Sequence, residues 1–340
     1  MRLLITGSND INAIENYYCK HLASDKTIVK RISSASIYEN YYHQSFLNKL
    51  LVRAGISFIF KRINTIIQSE IVNFKPDVLL VFKGMEISTD TLLLAKKTGA
   101  IVVNYNPDSP YVFISYGNGK KSISKNLYLY DYHFTYNYEI LDKLISEGQR
   151  VFLLPFAAEV SDHEEILLRE SEEILRACFY GGPDELRYRF LNSLAKLGHQ
   201  IDIFGNGWSR RKLHKNIQLH PSQNGSMLRN IIAKYRVQLN ILSLHNLNSH
   251  NMRTFEIPGN KGIQLAPKTK DHQTYFIENK TITLYSSVYD CSTQIQRLLN
   301  LPFDVVMDMR KQSFASIVNH HTYLHRSILL KQKLNDFMNK

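Results

Sequence analysis

The run Ala177-Cys178-Phe179-Tyr180-Gly181-Gly182 decides the fold. Four largely apolar residues lead into two glycines, as a buried strand leads into a tight turn. A helical stripe follows from about Asp184 to Leu197, with Leu186, Phe190, Leu191, Leu194 and Leu197 on one face, and then comes Gln200-Ile201-Asp202-Ile203-Phe204-Gly205. Strand, helix and strand in this order make one βαβ unit and predict a parallel sheet. Further strand-like runs occur at 217–219, 237–242, 262–265 and 282–285. Upstream the same alternation gives runs at 3–6, 27–32, 77–82, 100–105, 133–136 and 151–154. Upstream runs such as 3–6, 77–82 and 100–105 do not alternate polar and apolar residues strictly, so helices are expected on both faces of that sheet. The chain therefore reads as α/β, with two Rossmann-like doubly wound domains at 1–160 and 161–340 facing a central cleft. The basic tail, about 311–338, reads as helix, with Leu324, Ile328, Leu329 and Leu334 available for packing.

Composition agrees. The 340 residues, 44% of them hydrophobic, supply two cores and exclude disorder. Cys19, Cys178 and Cys291 are too scattered for a disulfide framework or a cysteine metal knuckle, which fits a reducing compartment. No run approaches the roughly 18 apolar residues of a membrane span. Met1 to Gly7 reads as a first strand, not a secretion signal, so a cytoplasmic protein is expected. The net charge of +12 favours an anionic partner: nucleic acid, an acidic membrane surface or a phosphorylated small molecule.

Several constellations fail. No D-x-D is present to hold a metal-bound nucleoside diphosphate. Gly117-Asn118-Gly119-Lys120-Lys121-Ser122 imitates a phosphate loop, but Lys121 stands where Ser or Thr is required. Gly7-Ser8-Asn9-Asp10 opens the first turn without G-x-G-x-x-G, and no acidic residue ends the second strand at Ile32, which argues against a dehydrogenase. His321 and His325 have metal-pair spacing without a Glu neighbour or Cys partners.

The informative stretch is Asn251-Met252-Arg253-Thr254-Phe255-Glu256-Ile257-Pro258-Gly259-Asn260-Lys261-Gly262. Arg253 and Glu256 share a helix face, and Pro258 keeps that helix short or kinked. Two readings stand: a surface ion pair, or a carboxylate that accepts both hydroxyls of a ribose beside a cation facing diphosphate.

From about Ala177 to Leu330 the chain resembles the donor-binding domain of CgeB-type glycosyltransferases. The likeness runs through Phe179-Tyr180-Gly181-Gly182, Arg187, Gly205-Asn206-Gly207-Trp208, Leu239-Asn240, Arg253-Thr254-Phe255-Glu256, Gly262 and His321-Thr322-Tyr323-Leu324-His325-Arg326. The first half is similar more loosely, through 75–84 and Asn106-Pro107-Asp108-Ser109-Pro110. The resemblance implies a GT-B fold, an acceptor on the first domain, a nucleotide-sugar donor (UDP-sugar favoured) on the second, and a C-terminal helix packing back toward the first domain.

It also implies donor contacts from Glu256, Gly181, Gly182, Arg187, Gly262 and Lys261, with Arg253 stabilising the departing diphosphate. Gly7 and Lys83 are expected at the acceptor side, and Asp108, after a strand, as catalytic base. Arg189 competes with Arg187, Trp208 reads as a base-stacking residue or a packing anchor, and His245 and His250 precede Arg253 without a spacing that ranks them. No metal or other cofactor is expected.

The chain departs from the family pattern at Pro155-Phe156-Ala157-Ala158-Glu159, where relatives read P-x-G-x-D, and at Asn248, where retaining enzymes carry the first Glu of E-x7-E. The departure at 155–159, together with Pro258, makes a non-catalytic nucleotide-sugar-binding protein the rival reading, and Asn248 leaves the retaining or inverting outcome open. Basic segments with aromatics, Arg53–Arg62 with Phe58 and Phe60 and the tail 311–340, suit an anionic inner leaflet bearing a glycan or lipid-linked acceptor. No nucleic-acid motif accompanies the charge, so a nucleic-acid partner is not expected.

Overall fold

The computed structural model describes residues 1–112, 120–160 and 168–339. Residues 117–119 of the rejected phosphate-loop imitation and 161–165 beyond the expected domain boundary lie outside the described residues. The chain forms two compact units, Met1–Pro155 with Tyr323–Lys340, and Phe156–Thr322. The division thus falls after Pro155, and the final helix belongs to the first unit, toward which the resemblance implies it packs.

The first unit runs β1 (Arg2–Thr6), α1 (Ile14–Leu22), β2 (Ile28–Ile32), α2 (Ser34–Gln44), α3 (Phe46–Arg53), α4 (Ile59–Phe74), β3 (Val78–Phe82), α5 (Thr89–Lys97), β4 (Ile101–Tyr105), α6 (Lys120–Asn126), β5 (Tyr132–Thr135), α7 (Tyr138–Ser146) and β6 (Val151–Leu153). Its sheet is parallel in the order β2-β1-β3-β4-β5-β6. Every residue of Val78–Phe82 is buried, as a strand covered on both faces requires. Helix α4 packs Ile59, Ile63, Ile67 and Ile71, one per turn, onto this sheet.

The second unit runs β7 (Ile174–Tyr180), α8 (Glu185–Lys196), β8 (Ile201–Phe204), β9 (Ile217–His220), α9 (Gly225–Lys234), β10 (Tyr235–Leu239), α10 (Arg253–Gly259), β11 (Gln264–Pro267), α11 (Lys270–Tyr275), β12 (Thr283–Tyr285), α12 (Val288–Leu299) and α13 (Phe303–His320). Its parallel order is β12-β11-β10-β7-β8-β9. The strand order reverses between β7 and β10, and in the first unit between β1 and β3. Crevices at the carboxyl ends of such switch points are where open α/β sheets take ligands.

The single tail helix expected from 311 to 338 is two helices, α13 and α14 (Tyr323–Met338), broken at His321-Thr322. Of the expected packing residues, Leu334 is buried and the other three are not. Leu324, Ile328 and Leu329 are exposed, whereas Tyr323, Arg326, Leu330, Leu334 and Phe337 are buried. Tyr323 stacks on Tyr17 of α1 at 4.7 Å and Phe337 on Tyr132 at 3.5 Å, so aromatic packing fixes α14 on the first unit. Arg326 Nε donates to the Pro155 carbonyl at 3.1 Å. In the second unit, the Ala158 amide donates to the His321 carbonyl at 3.0 Å. The H-T-Y-x-x-R residues thus secure the chain near its crossings by packing and hydrogen bonding.

Candidate functional site

Strand β7 delivers its carboxyl end at the second unit's switch point, and the chain turns there through Gly181 with φ +145°, a conformation open to glycine. The G-x-G-W segment explains how this turn is held. Trp208, only 1% exposed, donates its indole Nε1–H to the Gly181 carbonyl at 2.8 Å. It is therefore a packing anchor and not a stacking surface for a base. A Cβ on Gly205 would lie 2.3 Å from the Gly181 oxygen. Because that obstacle is backbone, Gly205→Ala is expected to cost about 1–3 kcal/mol and to weaken nucleotide binding by displacing the turn. Thermal melting and calorimetry check this, and wild-type values in both would refute the coupling.

Two guanidinium groups converge on the turn. Arg253, the first residue of α10, donates Nε–H to the Tyr180 carbonyl at 2.6 Å and lies over the Tyr180 ring at 4.8 Å. Its Nη2 is 3.1 Å from the position a Gly181 Cβ would occupy, so the glycine also makes room for the arginine. Arg187, in the first turn of α8, reaches across the switch point. Its Nε–H donates to the Ile241 carbonyl beyond β10 at 3.2 Å, and Nη1 to the Gly182 carbonyl at 3.3 Å. Asp184 caps α8 through the Arg187 amide and pairs with the Arg187 side chain at 3.4 Å. Burial, and then the positive charge of Arg253, pull the Arg187 pKa below its usual value. Arg189 points elsewhere, into an exposed pair with Glu185 at 2.7 Å.

Glu256, one turn after Arg253, is half-buried, and burial raises its carboxyl pKa while Arg253 opposes the rise. Gly181, Gly182, Arg187, Arg253 and Glu256 therefore gather at one end of one strand. Two further expected members have contacts of their own. A Cβ on Gly262 would lie 2.6 Å from Ile232 Cγ2 and 3.0 Å from Ile257 Cγ2, so this glycine serves core packing. Lys261 holds its ammonium 5.3 Å over the Phe314 ring.

Helix α10 is fixed by a buried polar network with no periodic sequence signature. Asn240 donates to Thr254 Oγ1 and Gln264 Oε1, each at 3.1 Å, and accepts from Asn251 at 2.8 Å. His250, fully buried, bonds Asp271 at 2.6 Å through Nδ1 and accepts the Phe156 amide at 3.3 Å on Nε2. The only advance signals were the Leu-Asn pair of the motif and a cluster of Ser, His and Asn before Arg253. Ala158, at the departure from P-x-G-x-D, fills the space that Gly259 leaves open, 2.7 Å from where a Cβ would stand.

In the first unit, Lys83-Gly84 follows β3, with φ +58° at Lys83. Lys83 Nζ pairs with Asp108 Oδ2 at 2.7 Å, so these two candidates meet at the carboxyl edge. The turn is made by Asn106, whose side chain accepts the Asp108 amide at 3.0 Å and leaves the aspartate carboxylate to the lysine. Gly7 is on the other side of the same switch point, but Glu15 fills its turn. The Glu15 carboxylate accepts the Ser8 amide at 2.8 Å, and a Cβ on Gly7 would lie 2.4 Å from Glu15 Oε1. Gly7 is explained by that approach.

Among the described residues, no three His, Cys, Asp or Glu side chains gather as a metal-binding group, and no helix is long and apolar enough to cross a membrane.

The paired sheets, with their switch points, define the GT-B class of fold, and known structures similar to this chain include glycosyltransferases. A glycosyltransferase from Rickettsia africae matches with TM-score 0.65 and 11% identity over 98% of each chain. Sucrose-phosphate synthase from Thermosynechococcus elongatus matches at 0.70 and 10% identity over 100% of this chain and 99% of the other. HepE of Anabaena, in complex with UDP-glucose, matches at 0.63 and 9% identity over 100% and 99%. More particularly, residues 187–332 match a family described as glycosyl transferase-like. That segment contains Arg187, Arg253 and Glu256. Among curated proteins none matches the chain in sequence.

Proposed function

We propose that the chain transfers a sugar from a nucleotide-sugar donor, a UDP-sugar favoured, to a glycan or lipid-linked acceptor of the bacterial surface, without a metal, as a CgeB-type enzyme. The observation that carries this reading is the convergence of Arg187 and Arg253 over the switch point of the second unit. Two partly buried cations on one turn, with the amino end of α8 beside them, attract a diphosphate. Cleavage of the anomeric bond leaves negative charge on that diphosphate, and preorganised donors stabilise it as it grows. Glu256 holds the ribose hydroxyls. The complex of the similar HepE with UDP-glucose supports the choice of base.

On the first unit, Lys83 and Asp108 form the acceptor end. Asp108 takes the hydroxyl proton as the acceptor displaces the lysine from its carboxylate.

Calorimetry with UDP and GDP, followed by turnover of a nucleotide-sugar panel, tests the proposal. UDP binding and transfer are expected, with Glu256→Gln reducing kcat/KM by more than about tenfold, or about 1.4 kcal/mol. Activity retained within that factor removes Glu256 from the donor. Binding without any turnover points to the non-catalytic reading, and binding of a polynucleotide in place of nucleotides overturns both.

A further inference from the structure

We infer that the outer face of α3 and the turn into α4 form a docking surface for an anionic lipid bilayer. On α3, Phe46, Leu47 and Leu50 are 72%, 62% and 44% exposed, and in the turn Ile56 and Phe58 are 72% and 62% exposed. Positions 46, 47 and 50 form one helical stripe that continues to exposed Arg53, while Val52 is buried on the opposite side. The pattern recurs in the first turns of α4, where Ile59 and Ile63 pack inward and Lys61 and Arg62 face solvent. Five large apolar side chains on one short segment exceed the scattered exposure of an ordinary surface.

The charge around them selects the occupant. Between Glu39 and Glu70 the chain carries Lys49, Arg53, Lys61 and Arg62 and no acidic residue. Apolar side chains entering the headgroup region, with cations left level with lipid phosphates, are the two contributions that hold a protein on an anionic leaflet. A second copy of this chain would set cation against cation across the same face.

The assignment differs from the sequence expectation in its residues. Phe60 is half-buried and packs 5.5 Å from Tyr38, so it is withdrawn from the surface, while α3 supplies most of the apolar contact. In the tail, Lys331 donates to Ser24 at 2.9 Å and Lys333 lies over the Phe152 ring at 5.2 Å, which engages two of its cations within the first unit.

The test is sedimentation of the full chain with vesicles of phosphatidylcholine, alone or with about 30 mol% phosphatidylglycerol. Binding is expected to the anionic vesicles only and to weaken with salt. The triple variant Phe46→Ser/Leu47→Ser/Ile56→Ser should lose at least about tenfold in partitioning, and Lys61→Gln/Arg62→Gln roughly tenfold or more. All five positions are exposed, so melting temperature and nucleotide affinity should match wild type, which separates this surface from the donor site. Failure of the wild type to bind anionic vesicles at low salt overturns the inference, as does unchanged binding by both variants. A wild-type dimer in ultracentrifugation that the triple variant abolishes would assign the face to a second copy and overturn it equally.

Discussion

Replacing Arg253 by alanine is expected to lower UDP affinity at least tenfold and kcat/KM for sugar transfer by about 10²- to 10³-fold, the range seen when one preorganised donor to a developing anion is removed. The reason lies in how the side chain is held. Its Nε–H is committed to the Tyr180 carbonyl at 2.6 Å, which fixes the guanidinium plane over the turn and leaves the fork to address an anion. Lysine cannot do both at once, so Arg253→Lys should recover little. Stability should change by only about 1 kcal/mol, the net worth of the lost hydrogen bond. Wild-type affinity and turnover in Arg253→Ala would remove the arginine from the diphosphate and leave Arg187 alone at the switch point.

The largest stability effect is expected at Glu173. Its carboxylate binds Arg236 at 2.5 Å and Arg310 at 2.9 Å, and all three side chains are almost fully buried. Arg236 also donates to the carbonyls of Leu298 and Leu301, and Arg310 to those of Ala233 and Tyr235, so the cluster joins β7, β10, α12 and α13. Burial pulls the Arg310 pKa down to about 10, opposed by Glu173. Glu173→Ala strands two buried cations and should cost about 3–5 kcal/mol, whereas replacing all three residues by apolar ones of similar volume should recover much of the loss. Urea denaturation gives the magnitude, and amide exchange should quicken in β7, β10 and α13. A midpoint unchanged within about 0.5 kcal/mol would show that the arginines are satisfied by carbonyls alone.

The strands were legible because parallel strands covered on both faces read as unbroken apolar runs, and Val78–Phe82 is the clearest. Edge strand β2, with exposed and buried residues mixed, is marked in the sequence by its β-branched residues. The break at His321-Thr322 was not legible. Both flanking segments favour helix, and the buried face of α14 includes Arg326 and Ser327, which carry no hydrophobic signal. In the site, Gly181, Arg187, Arg253 and Glu256 stand in motifs whose order survives in sequence, and the fold brings them together. Gly262 stands in the same motif, yet a glycine left bare for a ligand and one left bare for an isoleucine look alike in sequence. The roles of His250 and Asp271 were hidden because two residues 21 positions apart bond through tertiary structure only.

Glu15 gives the two halves of the molecule different chemical fates. Both are doubly wound sheets with a glycine turn after the first strand, and symmetry of design would offer an anion two equivalent berths. In one of them the chain has installed its own carboxylate against the Ser8 amide. Under the proposed function, an anion arriving there finds the Ser8 amide already taken, which leaves the turn at Gly181 as the address for the nucleotide. On that reading, self-occupancy of one turn by a single side chain distinguishes two domains of like architecture.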